Sequence, residues 1–261
     1  MILLIDCSTA VEKTEQFYFE KAGCFNGGHQ ISEDNCQCVD GYIAEKCHRL
    51  MYDCKEGFGA YPKHELRLKI QPSPTVEPFR VHCQMNYGGR SYFLYHVSEH
   101  TKLNQSWSDY RQGFGALTGD HWLGLDHLSS IVNGRAARGV PAKLTFETIA
   151  GGAQLTGSHS NFLIGDETDD YKIESVGYYS GKLTDCMTDL VGSTFATYDH
   201  GSDNGMSCAV QYGGGWWFGN ACAPCNPVGV FSSDGERLNV TYEKFWSEVE
   251  SSLTRIKAWI E

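Results

Sequence analysis

Cys208-Ala209-Val210-Gln211-Tyr212-Gly213-Gly214-Gly215-Trp216-Trp217, with Cys222 shortly after, is the stretch on which the reading of this chain turns. Its glycines mark a turn, and its tandem tryptophans must either fill a core or line a ligand. Large aromatics dominate cores, so packing is the commoner fate of Trp216 and Trp217. A phenol differs, because its hydroxyl remains a usable donor when paired. Tyr212 is therefore the better candidate for ligand contact. Sugars and acetyl groups need an aromatic wall and a few fixed donors, and this stretch has the residue types to supply them.

Around it lies the composition of a loop-rich globular protein: 261 residues, 41% hydrophobic, 20% charged, with 29 glycines. Such a chain is neither a disordered tail nor a membrane bundle. Its length suits one large domain or a medium domain plus a small module. The formal charge of -11 repels nucleic acid and anionic membrane surfaces, which sets aside a nucleic-acid partner. No stretch approaches a membrane span. Met1-Ile2-Leu3-Leu4-Ile5 is apolar but stops at Asp6, so residues 1–22 read as a lead-in containing a truncated signal region.

Eleven cysteines, six of them from Cys7 to Cys54, suit an oxidising compartment and a secreted, extracellular protein. Zinc is the rival reading. Cys36-Gln37-Cys38 is too short for a knuckle, and Cys222-Ala223-Pro224-Cys225 has no matching second pair, so disulfides are preferred. Sequons at Asn104 and Asn239 agree with secretion and glycosylation. The odd count leaves one thiol free or paired between chains, with Cys7 the first candidate. A disulfide-linked homo-oligomer is the resulting expectation, and non-reducing electrophoresis of Cys7→Ser tests it. Cys186 and Cys225 either link chains too or bridge within the domain.

Strand-like runs at Phe79 to Cys83 and Ser91 to Val97 are broken by turn residues, and no long helix stands out before the end. Phe245 to Ile260 carries Val249, Leu253, Ile256 and Ile260 at helical spacing, while Val240, Tyr242, Leu253 and Ile256 would equally serve a closing sheet. Periodicity leaves that segment open.

Residues 53–261 resemble the fibrinogen C-terminal domain shared by fibrinogen chains, ficolins, tachylectins, angiopoietins and tenascins. The resemblance rests on Asp53-Cys54, on Phe79-x-Val81-x-Cys83-x-Met85 with Gly88-Gly89, and on Trp107-x-x-Tyr110-x-x-Gly113-Phe114-Gly115. It continues with Gly119-Asp120-His121-Trp122-Leu123-Gly124-Leu125 and ends in the tryptophan stretch already quoted. It implies an α+β domain of short antiparallel sheets, few helices and many loops. Residues 23–48, with Cys24-Phe25-Asn26-Gly27-Gly28, Cys36-Gln37-Cys38 and Gly41-Tyr42, resemble a degenerate EGF-like module in which Gln30 stands where a cysteine belongs. The two resemblances imply pairs Cys24 with Cys36, Cys38 with Cys47, Cys54 with Cys83 and Cys208 with Cys222.

The family's calcium loop falls on Asp199 to Ser207. There Asp203 carries over as a side-chain ligand, Asp199 can swing in, and the carbonyls of Gly205 and Ser207 contribute. Gly201 replaces the second aspartate, and losing a carboxylate weakens the site. The bland alternative is an Asx-rich turn. The family's ligand pocket falls on Tyr212, Trp217, Cys222, Ala223 and Asn226. Its pocket histidine is Ala223 here, and its frequent cis peptide would be Ala221 to Cys222.

Catalytic readings fail, for there is no Gly-x-Ser-x-Gly, no His-Glu-x-x-His and no phosphate loop. His121 and His127 read as structural. Asp166-Glu167 and Asp169-Asp170 read as a solvated turn. The expectation is a secreted, non-enzymatic, lectin-like protein binding acetylated or other carbohydrate with calcium assistance. The alternative is a matrix or adhesion glycoprotein binding an extracellular protein receptor.

Overall fold

Of the segment left open between helix and strand, the described part is a strand. In the computed structural model, which describes residues 23–98, 100–219, 222, 226–229 and 253–261, Leu253–Ile260 is extended and pairs on both sides. The main sheet contains β1 (Glu65–Ile70), β2 (Phe79–Gln84), β3 (Arg90–His96), β4 (Leu144–Ala150), β5 (Ala153–His159) and β6 (Tyr179–Gly181). Beyond it lie the short strands β7 (Phe195–Ala196) and β8 (Trp216–Trp217), and the chain returns to it as β9 (Leu253–Ile260). The spatial order is β6-β5-β4-β9-β3-β2-β1, every pairing antiparallel.

Register divides the sheet into two faces. Ala258 lies opposite Phe146 on one side and Leu94 on the other, and these join Leu144, Ile256, Ile260, Val81 and Leu68 in the core. The alternate residues Trp259, Thr145 and Tyr92 share a row on the second face. The core is completed by Leu128, Ile131 and Val132 of α2 (Leu125–Ala137), which follows the six-residue α1 (Trp107–Gln112). Helix α2 shows little amphipathic contrast, because its inward face includes polar and small groups. Ser129 donates to Gly165 O at 2.8 Å, Gly134 lies against Pro72, and Arg135 meets Asp53 at 2.7 Å with both side chains 6% exposed.

Before the globe, hairpins His29–Ser32 with Asn35–Gln37 and Tyr42–Ile43 with Arg49–Leu50 hold little core of their own. Disulfides Cys24–Cys36 and Cys38–Cys47 tie them, as Cys54–Cys83 and Cys208–Cys222 tie the globe. Cys186 is disulfide-bonded as well. The second hairpin docks on the sheet: Tyr61 donates to Tyr42 O at 2.7 Å, and Arg80 grips Asp40 at 2.6 Å. Cys7, Cys225 and Asn239 lie outside the described residues, whereas Asn104 is exposed.

Candidate ligand-binding face

Helix α3 (Asp203–Tyr212) begins because Ser202, extended at the N-cap, accepts the Gly205 amide at 3.1 Å. It ends at Gly213, whose φ of 71° is the left-handed stop that glycine adopts without steric cost. Gly214 and Gly215 then carry the chain into β8, paired with β7 as Ala196 opposite Trp216 and Phe195 opposite Trp217. Gly215 is required by close approach. A Cβ there would sit 2.8 Å from both the Phe195 and Tyr110 rings.

The tandem tryptophans are committed to packing. Trp216 is 1% exposed and Trp217 fully buried, edge-on to each other, with Phe195 and Trp122 packed against them. The Trp217 indole donates to Tyr171 O at 2.7 Å. Burial pushes the Tyr110 and Tyr171 phenols well above their ordinary range, so both act as neutral donors, Tyr110 to Leu103 O at 2.6 Å and Tyr171 to Asp126. Tyr212 is half-buried with its ring stacked 6.0 Å from Phe218, and its carbonyl receives the Asn226 amide at 3.0 Å. Cys222 has a φ of 61°, a left-handed backbone uncommon for a residue with a side chain. Tyr212, Trp217, Cys222 and Asn226 thus form one neighbourhood, but its aromatic mass points inward. Ala223 and the Ala221 to Cys222 bond lie outside the described residues.

The acidic loop is closed by its own side chains. Asp199 accepts from Thr197 Oγ1 at 2.7 Å and from the Trp107 backbone amide at 2.9 Å, the first amide of α1, whose N-cap is Ser106. His200 places Nε2 2.7 Å from Asp170 and stacks on the Trp107 ring at 3.9 Å. Asp203 is the first residue of α3, and its carbonyl takes the Ser207 hydroxyl at 2.8 Å. Gly205 and Ser207 are inside the helix, where carbonyls point along the axis toward later amides. At Gly201 a Cβ would come 2.6 Å from that of Ala196. Calcium wants six to eight convergent oxygens, and this donor set does not fit one. Among the described residues no three His, Cys, Asp or Glu side chains gather around a metal-sized site.

Beside α3 lies a mainly apolar cavity of about 370 Å³, lined by His96, Leu103, Val210 and Val228 and rimmed by Asn104. Val210, on the outer side of α3, is 67% exposed. Sequence reasoning misses this cavity, and Trp107, Asp170 and His200 as a unit. The signal for the cavity is Val210 itself, an apolar residue on the polar side of a short helix. Asp170 reads from the sequence as part of a solvated turn, yet it holds His200.

A family model described as fibrinogen beta and gamma chains, C-terminal globular domain, matches residues 50–261. Angiopoietin-4 of Bos taurus is 30% identical over 188 residues, covering 70% of this chain and 36% of that protein. Fibrinogen-like protein 1 of Rattus norvegicus is 27% identical over 242 residues, covering 84% of this chain and 75% of that protein. This chain therefore spans about a third of the angiopoietin's length. Among solved structures, the fibrinogen-like globe domain of human ANGPTL2 superposes with a TM-score of 0.73 at 26% identity, covering 81% of this chain and 98% of that one. No described helix is long and apolar enough to cross a membrane.

Proposed function

The chain belongs to the fibrinogen C-terminal domain family, and on that premise we propose that it is an extracellular, non-enzymatic binding module whose globe engages a protein partner. The observation that carries this reading is the inward commitment of the tandem tryptophans, 1% and 0% exposed, which deprives the expected sugar pocket of its aromatic wall. The replacement of the family's pocket histidine by Ala223 points the same way. Similarity to angiopoietin-4 and to the ANGPTL2 globe supports a receptor-type ligand over the lectin reading that the sequence placed first. The apolar cavity flanked by exposed Val210 offers the chemistry such a partner would cover. Disulfide density supports secretion, and residues 23–48 act as a degenerate EGF-like spacer in this reading. Calcium has no part in it.

The test is binding of the labelled protein to cells before and after trypsin shaving, beside retention on N-acetylglucosamine resin. Protease-sensitive binding that Val210→Asp weakens, without sugar-competable retention, is the expected result. Retention released by free N-acetylglucosamine or acetate would overturn the reading.

A further inference from the structure

Among the described residues the Asn-x-Ser/Thr pattern occurs at Asn104-Gln105-Ser106, and Asn104 belongs to the lining of the cavity beside α3. Asn104 is exposed, and no hydrogen bond or ion pair among the described residues engages its side chain. Its neighbours are fixed on both sides. Leu103 is 4% exposed, and its carbonyl takes the Tyr110 hydroxyl at 2.6 Å and the Gln105 amide at 3.0 Å. Ser106 is the N-cap of α1. A group joined to Asn104 therefore has a rigid root at this rim.

The wall that shares the cavity with Asn104 includes Leu103, Val228 and Val210, the last 67% exposed. An exposed apolar recess marks either a binding face or a site of self-association. A bulky, solubilising glycan rooted on its rim removes both outcomes. At about 370 Å³ the cavity is no wider than the two-sugar core of an N-linked glycan is long.

The chemistry is a group transfer. Asn104 Nδ2 forms a bond to C1 of N-acetylglucosamine while the bond from C1 to the pyrophosphate oxygen of a lipid-linked oligosaccharide breaks. The lipid pyrophosphate leaves with the electron pair, and the amide gives up one proton to water. The fold sets the timing. Ser106, third residue of the sequon, donates its hydroxyl to Asp109 at 2.5 Å and accepts the Asp109 amide at 3.3 Å, so the formed helix locks the sequon into a capping box. Transfer precedes folding, and a chain folded bare stays bare.

We propose that Asn104 carries an N-linked glycan that covers the Val210 face, so that chains glycosylated there are closed at this site and bare chains are open. The cover follows from the sequon and the cavity, whereas its effect on binding rests on the protein-partner reading.

The test uses the full chain secreted from a eukaryotic cell line, as wild type and as Asn104→Gln, with part of the folded wild type stripped by peptide N-glycosidase. Occupancy of Asn104 is read by mass spectrometry. Exposure is read by carbene footprinting at Val210, with Ile31, an aliphatic residue 66% exposed on the first hairpin, as the matched reference. An occupied Asn104 is expected, and labelling of Val210 relative to Ile31 should rise about threefold or more in the stripped protein and in Asn104→Gln alike. Asn104→Gln isolates this sequon from the one at Asn239, and stripping the folded wild type keeps the test decisive if the variant does not fold. An unmodified Asn104 in the secreted protein, or equal Val210 labelling before and after stripping, would overturn the proposal. Cell binding separates the two readings: a rise of about tenfold on stripping supports both. Unmasked Val210 with no gain in binding would leave the cover standing and overturn the protein-partner reading instead.

Discussion

The Asp199 carboxylate accepts the backbone amide of Trp107, 92 residues earlier, at 2.9 Å. A loop that the sequence equips for an ion instead holds the start of α1. The neighbouring His200 brings a ring onto Trp107 and a nitrogen onto Asp170. Side chains from two distant segments do locally what a shared cation would otherwise do.

Asp199→Ala should therefore lower stability by about 1 kcal/mol through loss of the carboxylate to which the first amide of α1 donates. A drop of about 2–4 °C in melting temperature is expected, with far-ultraviolet dichroism otherwise unchanged. An unchanged melting temperature would remove this hydrogen bond from the account.

Calcium titration by calorimetry should be flat for the wild type and for Asp203→Ala alike. Restoring the missing carboxylate by Gly201→Asp should destabilise the protein rather than create a site, because its Cβ meets that of Ala196 at 2.6 Å and the backbone φ is 124°. Micromolar calcium binding lost in Asp203→Ala would overturn this.

Arg135 and Asp53 are paired at 2.7 Å, each 6% exposed, joining α2 to the segment that opens the globe. Asp53→Ala leaves the guanidinium buried without its carboxylate, so a loss of about 3–5 kcal/mol is expected in urea unfolding. A double variant Asp53→Leu with Arg135→Met should recover much of it, because two apolar groups leave no stranded charge.

Acid should destabilise the protein through its buried imidazoles. Burial holds His82 down to about 3, with Arg67, His121 and Lys257 adding repulsion, and burial also lowers His121 and His159. Tyr92 and Tyr95 pack around His82, and Glu65 stands 3.5 Å away. These folded-state values lie below the unfolded value near 6.5, so the unfolded chain binds more protons as pH falls. Stability is full above about pH 6.5 and declines toward pH 3, by roughly 1.4 kcal/mol per pH unit per extra proton. His82→Leu should flatten that slope by one proton in urea midpoints taken at intervals across the window.

Gly215→Ala should cost about 1–3 kcal/mol, since the Phe195 and Tyr110 rings at 2.8 Å have nowhere to retreat. Gly59→Ala, with nothing within 4 Å, serves as the control and should change little.

What was legible in the sequence follows the range of the forces involved. The tryptophan stretch and the runs at Phe79 and Ser91 announce strands and turns because local chemistry sets them. Leu253–Ile260 hid its period because it is buried on both faces: Trp259 and Ile260 are adjacent and both enclosed. Helix α2 escapes notice because its inward face carries Ser129, Gly134 and Arg135, which are matched by partners far away in the chain. At the candidate site the residue types were visible, but the direction of their side chains was not. Asp199 reads as a ligand until Trp107 is seen beside it, and Trp217 reads as a wall until Tyr171 takes its indole.

The placement of β9 sets a temporal order on assembly. It lies between β4 and β3, so both remain open edges until residues 253–260 have left the ribosome and threaded between them. Long-range pairing of this kind slows folding, and a nascent chain in that interval is vulnerable to self-association. A stop codon just before Leu253 would leave most of the sequence intact and expose two adhesive strands, so truncation there should yield aggregates rather than a smaller soluble domain.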